Sequence, residues 1–205
     1  MVRGIVLAGG EATRLPNKPL LPLKNGKPAI TSGIDLLRHS GIPRITVVVP
    51  PGSAIPSILD YMYVTNFRYV IQEAALGVPI AISQILPDNT FDFEDKLVVV
   101  FCDNVYSHGT KINDVNTVGH TVIEIADEPI KSKSLSRWCG RWTSAPQGNV
   151  CVAGWMVLDR DSLQWAHHFQ STIDFLNKIE AQPIYIEDKG WWDIGTVGAY
   201  KEYWK

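Results

Sequence analysis

From Leu7 to Lys18 the chain reads Leu-Ala-Gly-Gly-Glu-Ala-Thr-Arg-Leu-Pro-Asn-Lys, a set of residues able to grip a polyphosphate. Gly9 and Gly10 permit a tight turn whose backbone N–H groups face phosphate oxygens. Arg14 adds a planar guanidinium fork. Lys18 adds a compact charge where negative charge builds up in phosphoryl or nucleotidyl transfer. The pattern is not a dinucleotide fingerprint, because Glu11 replaces its second glycine, nor a P-loop, because Pro19 follows Lys18. A carboxylate, Asp103, follows the apolar run 96–101. At the carboxyl end of a buried strand it either caps a turn or serves Mg²⁺, which takes one or two protein carboxylates plus substrate phosphates.

These residues need a scaffold, and the hydrophobic pattern supplies one. Continuous apolar runs predict buried strands over 3–8, 45–49, 68–71, 96–101 and 150–158, with further strands over 120–125 and 183–186. Helical spacing predicts helices over 29–40, 57–62, 79–86, 171–180 and 197–204. The strand, helix, strand order at the start is a βαβ unit, hence a parallel sheet with a right-handed crossover. The expected fold is one Rossmann-like α/β domain over 1–205, three layers αβα with a mixed, mainly parallel sheet. Residues 107–149 are the least regular and read as an insertion.

Leu7 to Leu23, with Lys27-Pro28-Ala29-Ile30, resembles the signature of sugar-1-phosphate nucleotidyltransferases, the family of the glucose-1-phosphate thymidylyl- and uridylyltransferases. Ala12 replaces that signature's third glycine, and the spacer before Lys18 is short. The resemblance extends to three further stretches: Gln72 to Ala81, Cys102-Asp103-Asn104-Val105-Tyr106, and Trp191-Trp192-Asp193-Ile194-Gly195-Thr196. It implies a nucleotidyltransferase domain joining an NTP to a sugar 1-phosphate, with pyrophosphate released and Mg²⁺ as cofactor. On that reading Leu7, Ala8, Gly9, Gly10, Gln72, Leu76 and Gly77 bind the nucleotide, and Arg14 and Lys18 are catalytic. Asp103 and Asp193 hold the metal, while Asn104, Lys133 and Gly154 face the sugar phosphate. The family's Glu-Lys-Pro stretch is matched only by Asp127-Glu128-Pro129, where Glu128 reverses a charge; Lys131, Lys133 or Arg137 would have to compensate. Homo-oligomers are common in the family.

The composition narrows the classes. Nineteen Lys and Arg against 21 Asp and Glu leave a net charge of −2, which gives no footprint for nucleic acid or an anionic membrane. No apolar run approaches a membrane span and no signal-peptide pattern opens the chain, so a cytoplasmic protein is expected. Cys102, Cys139 and Cys151 lack metal or disulfide spacing and read as reduced thiols. His167 and His168, adjacent on a helix, are expected to point apart at the surface. The rival functions are a glycosyltransferase using an NDP-sugar, a non-catalytic nucleotide sensor, and a cytidylyltransferase for a phospho-alcohol such as phosphocholine. The last would use some of the seven tryptophans as a cation cage.

Overall fold

A computed structural model describes residues 1–10, 15–64, 66–73, 77–85, 95–113, 115–124, 137–144, 150–186 and 190–205. Arg14, Leu76, Lys133, Ala12, Glu128 and Lys131 lie outside these residues.

The valine- and isoleucine-rich runs become strands β1 (Val2–Leu7), β2 (Ile45–Val49), β3 (Arg68–Ile71) and β4 (Lys96–Phe101). β1 pairs in parallel with both β2 and β4, and β2 with β3. The order then turns mixed. β9 (Val150–Asp159) runs antiparallel between β4 and β6 (Gly119–Glu124), and β10 (Gln182–Tyr185) closes that edge in parallel with β6. The resulting path is β10-β6-β9-β4-β1-β2-β3, with the short pair β7 (Arg137–Trp138) and β8 (Trp142–Thr143) attached to β9. The expected mixed, mainly parallel α/β sheet is thus present.

Alternate residues of each strand feed opposite layers, as a period of two requires. Val6, Val47, Val49, Val98 and Val100 face α1 (Ile30–His39) and α2 (Ile55–Met62). Ile5, Val48, Leu97 and Val99 face α3 (Val78–Ser83), α4 (Arg160–Ala166) and α5 (Thr172–Lys178). Helix α1 lies close on the sheet at Gly33, where an added Cβ would stand 2.9 Å from Val100 Cγ1. Asp159 and Ser171 cap α4 and α5 through Ser162 N and Asp174 N.

A smaller core stands beside the sheet. Leu23, Ala29, Val105, Ile194 and Tyr203 pack together beneath a two-stranded antiparallel ribbon of β5 (Asn104–Tyr106) and β11 (Trp191–Asp193). The last helix, α6 (Val197–Trp204), contributes Tyr203, whose Oη accepts from Lys24 N at 3.1 Å, and Tyr200, whose Oη donates to Pro22 O at 2.6 Å.

The Trp-Trp-Asp stretch forms the strand β11, an element that no periodicity announces because three residues are too few to show one. One sequence reading needs correction. His167 and His168 do not point apart: their exposed rings lie 3.8 Å apart, centroid to centroid. Helix α4 ends at Ala166, so the 100° step between helical neighbours does not apply to them. Among the described cysteines, Cys102 and Cys139 are free thiols.

Candidate active site

Three of the parallel strands, β1, β3 and β4, end at a cleft of about 400 Å³. Its walls include Leu7, Ala8, Gly9 and Gly10 from the end of β1, Lys18 and Pro19, Gln72 and Gly77, and Phe101, Cys102 and Asp103 from the end of β4. Ligands of open α/β sheets occupy this position, beyond the carboxyl ends of the strands. Eight residues singled out from the sequence therefore line one cavity. Among the described residues no tryptophan lines it.

Lys18 is carried by a short 3₁₀ turn, Lys18–Leu20, that follows Asn17 in the left-handed region with φ 53°. Pro19 presets the turn and Leu20 N donates to Asn17 O at 2.8 Å. The Lys18 ammonium thereby reaches Asp103 Oδ2 at 2.9 Å, both side chains being partly buried. On the opposite wall the Gln72 carboxamide, only 4% exposed, lies against Gly9; a Cβ at Gly9 would collide with Gln72 Oε1. Gly77, at φ 94°, starts α3 and packs on the backbone carbonyl of Gln170, where no side chain would fit. Cys102 is an unsuitable nucleophile. Burial, then the neighbouring Asp103 charge, push its thiol well above the ordinary range.

The ribbon joins the two aspartates that stand ninety positions apart. Asp193 pairs with Asn104, and Ile194 N donates to Asp103 O at 2.9 Å. A Cβ on Gly195 would stand 2.9 Å from both Asp103 Oδ2 and Asp193 Oδ1, so those oxygens lie within about 6 Å of each other. Asp193 Oδ1 also accepts from Gly195 N at 2.7 Å. Among the described residues no group of three or more His, Cys, Asp or Glu could hold a metal. Two converging carboxylates suit Mg²⁺, which completes its shell with water and phosphate, better than they suit a metal needing a full protein cage.

Asn104 and Gly154 meet deeper in the fold. Asn104 is 6% exposed, its Oδ1 accepts from Gly154 N at 3.2 Å, and Gly154, at φ 61°, packs against the Tyr106 ring. Neither lines the cleft. The sequence reading missed the part played by Trp191 Nε1, which donates to Asn104 Oδ1 at 2.8 Å. A buried indole N–H usually takes an acceptor, so the tryptophan two residues before Asp193 was the available signal.

The chain belongs to the MobA-like NTP transferase domain family, whose profile matches residues 4–115, just over half of its 205 residues. It is a nucleotidyltransferase in its broad class. Solved structures share the fold across almost the whole chain. A protein assigned as a glucose-1-phosphate thymidylyltransferase from Bacillus anthracis superposes with a TM-score of 0.75 at 19% identity, covering 99% of this chain and 94% of that one. A CTP:phosphocholine cytidylyltransferase from Streptococcus pneumoniae gives 0.74 at 16%, covering 98% and 96%. An inositol-1-phosphate CTP transferase from T. maritima gives 0.78 at 17%, covering 98% and 93%. No curated protein matches the sequence. No helix among the described residues is long and apolar enough to cross a membrane.

Proposed function

We propose that this enzyme joins an NTP to a sugar 1-phosphate, giving an NDP-sugar and pyrophosphate. The observation that carries this reading is the meeting, at one cleft, of the Gly9-Gly10 turn, Lys18, and Asp103 beside Asp193. The sugar phosphate oxygen attacks the α-phosphorus as the pyrophosphate leaves, so catalysis is alignment plus charge neutralisation and no covalent intermediate is needed. Gly9 and Gly10 offer backbone N–H groups to the triphosphate and Gln72 reads the base, with Gly77 leaving room for a flat ring. Lys18 stabilises charge at the α-phosphate, exchanging its Asp103 partner for phosphate oxygens, and Arg14 holds the leaving pyrophosphate. Asp103 and Asp193 would hold Mg²⁺, which when bound supplies positive charge against the phosphates. Lys133 serves the acceptor, Gly154 acts only by holding Asn104 through its N–H, and the whole of 1–205 acts as one domain.

The test is Mg²⁺-dependent pyrophosphate release from each common NTP with a mixture of sugar 1-phosphates, and separately with phosphocholine and inositol 1-phosphate. Release that needs both a nucleotide and a sugar 1-phosphate, and disappears in Asp103→Asn, is the expected result. Release with phosphocholine or inositol 1-phosphate alone would move the acceptor to a phospho-alcohol. No release with any pair would overturn the reading.

A further inference from the structure

We infer that Asn104 is a positioning residue for Asp103 and not a contact for the acceptor, and that Trp191 fixes it in that role. The inference rests on the nucleotidyl-transfer reading above only for what Asp103 does. Its foundation is the hydrogen-bond geometry of a buried amide. Trp191 Nε1 and Gly154 N are both obligatory donors, and both point at one atom of the Asn104 carboxamide, at 2.8 and 3.2 Å. That atom must be the oxygen, and its two lone pairs are then spent. The amide cannot flip without setting its NH₂ against two N–H groups. Its nitrogen therefore faces the other way, where Nδ2 donates to Asp103 Oδ1 at 3.0 Å.

Asp103 is thereby held at both oxygens. Oδ1 receives the Asn104 amide and Oδ2 receives Lys18 Nζ at 2.9 Å. The two bonds fix the carboxylate plane relative to Asp193, whose position is set by the same ribbon that carries Asn104. A carboxylate held by a neutral donor keeps its full charge while losing its freedom to rotate, which is what an outer partner of a metal ligand provides. The chain of contacts runs from β11 through Trp191 to Asn104 to Asp103, and a branch ties in β9 at Gly154. Three elements distant in sequence thus agree on one side-chain orientation.

Substrate contact and positioning predict opposite kinetics. If Asn104 acts through Asp103, Asn104→Ala lowers kcat and weakens Mn²⁺ binding, measured by electron paramagnetic resonance with Mn²⁺ alone, by about tenfold each. The KM for the acceptor stays within about twofold, and in an Asp103→Asn background the same change weakens Mn²⁺ binding no further, because residues acting as one unit are not additive. Trp191→Phe keeps the bulk of the buried ring and removes only the Nε1 donor. It moves kcat and Mn²⁺ binding in the same direction by a smaller factor while the melting temperature stays close to that of the unaltered protein, which keeps the inference testable if Asn104→Ala does not fold. An acceptor KM raised tenfold with Mn²⁺ binding unchanged, or costs in Mn²⁺ binding that add fully to those of Asp103→Asn, would overturn it. If the unaltered protein releases no pyrophosphate with any pair of substrates, the functional reading fails. The Mn²⁺ titrations of the same variants still decide the role of Asn104.

Discussion

Lys18 and Asp103 illustrate how little of a cleft's geometry resides in a residue's type. The lysine is held on a proline-set turn and paired at 2.9 Å with a carboxylate from the end of another strand, so its ammonium waits at the cleft wall instead of sampling solvent. Lys18→Ala should lower the rate of pyrophosphate release by roughly 100-fold or more, the scale of one electrostatic group in a protected site. Steady-state kinetics at saturating nucleotide check this, and a near-normal kcat would remove Lys18 from the chemistry. Tyr106 gives the converse case. Its Oη is buried with no hydrogen-bond partner among the described residues, so Tyr106→Phe removes an unsatisfied group and should leave stability unchanged or raise it by about 1 kcal/mol. Denaturant unfolding would show this; a loss of several kcal/mol would reveal a partner for the hydroxyl.

At the scale of elements, the sequence was legible wherever a run was long and apolar. The strands 45–49, 68–71 and 96–101 and the helix 197–204 have the bounds expected of them. The ribbon of β5 and β11 was not legible, because three-residue strands carry no period and their pairing partner lies almost ninety residues away. Yet that ribbon brings Asp103 and Asp193 together. The two aspartates were paired through a family resemblance, and the physical reason for it, Asp193 set opposite Asn104, had no signal in local pattern. Leu76 and Lys133 rest on the resemblance alone, and Arg14 on the resemblance and on its spacing from the Gly9-Gly10 turn.

Another joint between elements invites a direct test. Gly77 begins α3 at φ 94° with its Cα against the Gln170 carbonyl, so the loop joining α4 to α5 buttresses the wall of the cleft that Gly77 lines. Gly77→Ala adds a strained backbone, costing about 1–2 kcal/mol, and a collision with that carbonyl. The expected outcome is a lower melting temperature together with weakened nucleotide binding by calorimetry. Unchanged affinity would show that the loop and the cleft wall are independent.

For the molecule as a whole, the sheet imposes an acid limit through His120. The imidazole is 3% exposed in the strand next to β9, stacked at 5.6 Å on Phe101, and its Nδ1–H donates to Thr121 O. Burial lowers its pKa from 6.5 to about 4, against the smaller opposing effect of the Thr121 bond. With the folded value below the unfolded one, the unfolded chain binds the extra proton between these limits. Stability is therefore fully present above pH 6.5 and falls as the pH drops toward 4, by about 3 kcal/mol if the whole shift is expressed. His120→Phe should flatten the unfolding free energy across that window, and an unaltered slope would assign the acid sensitivity to the carboxylates.

The bonds from Tyr200 to Pro22 and from Lys24 to Tyr203 close a circuit of nearly 180 residues around the segment that carries Lys18. A nascent chain can form β1, α1 and β2 early, but this clasp has no counterpart until α6 has left the ribosome. The fastening therefore waits for α6 to be made, and a product cut short before α6 would keep the Gly9-Gly10 turn without the contacts that tie down the segment after Lys18.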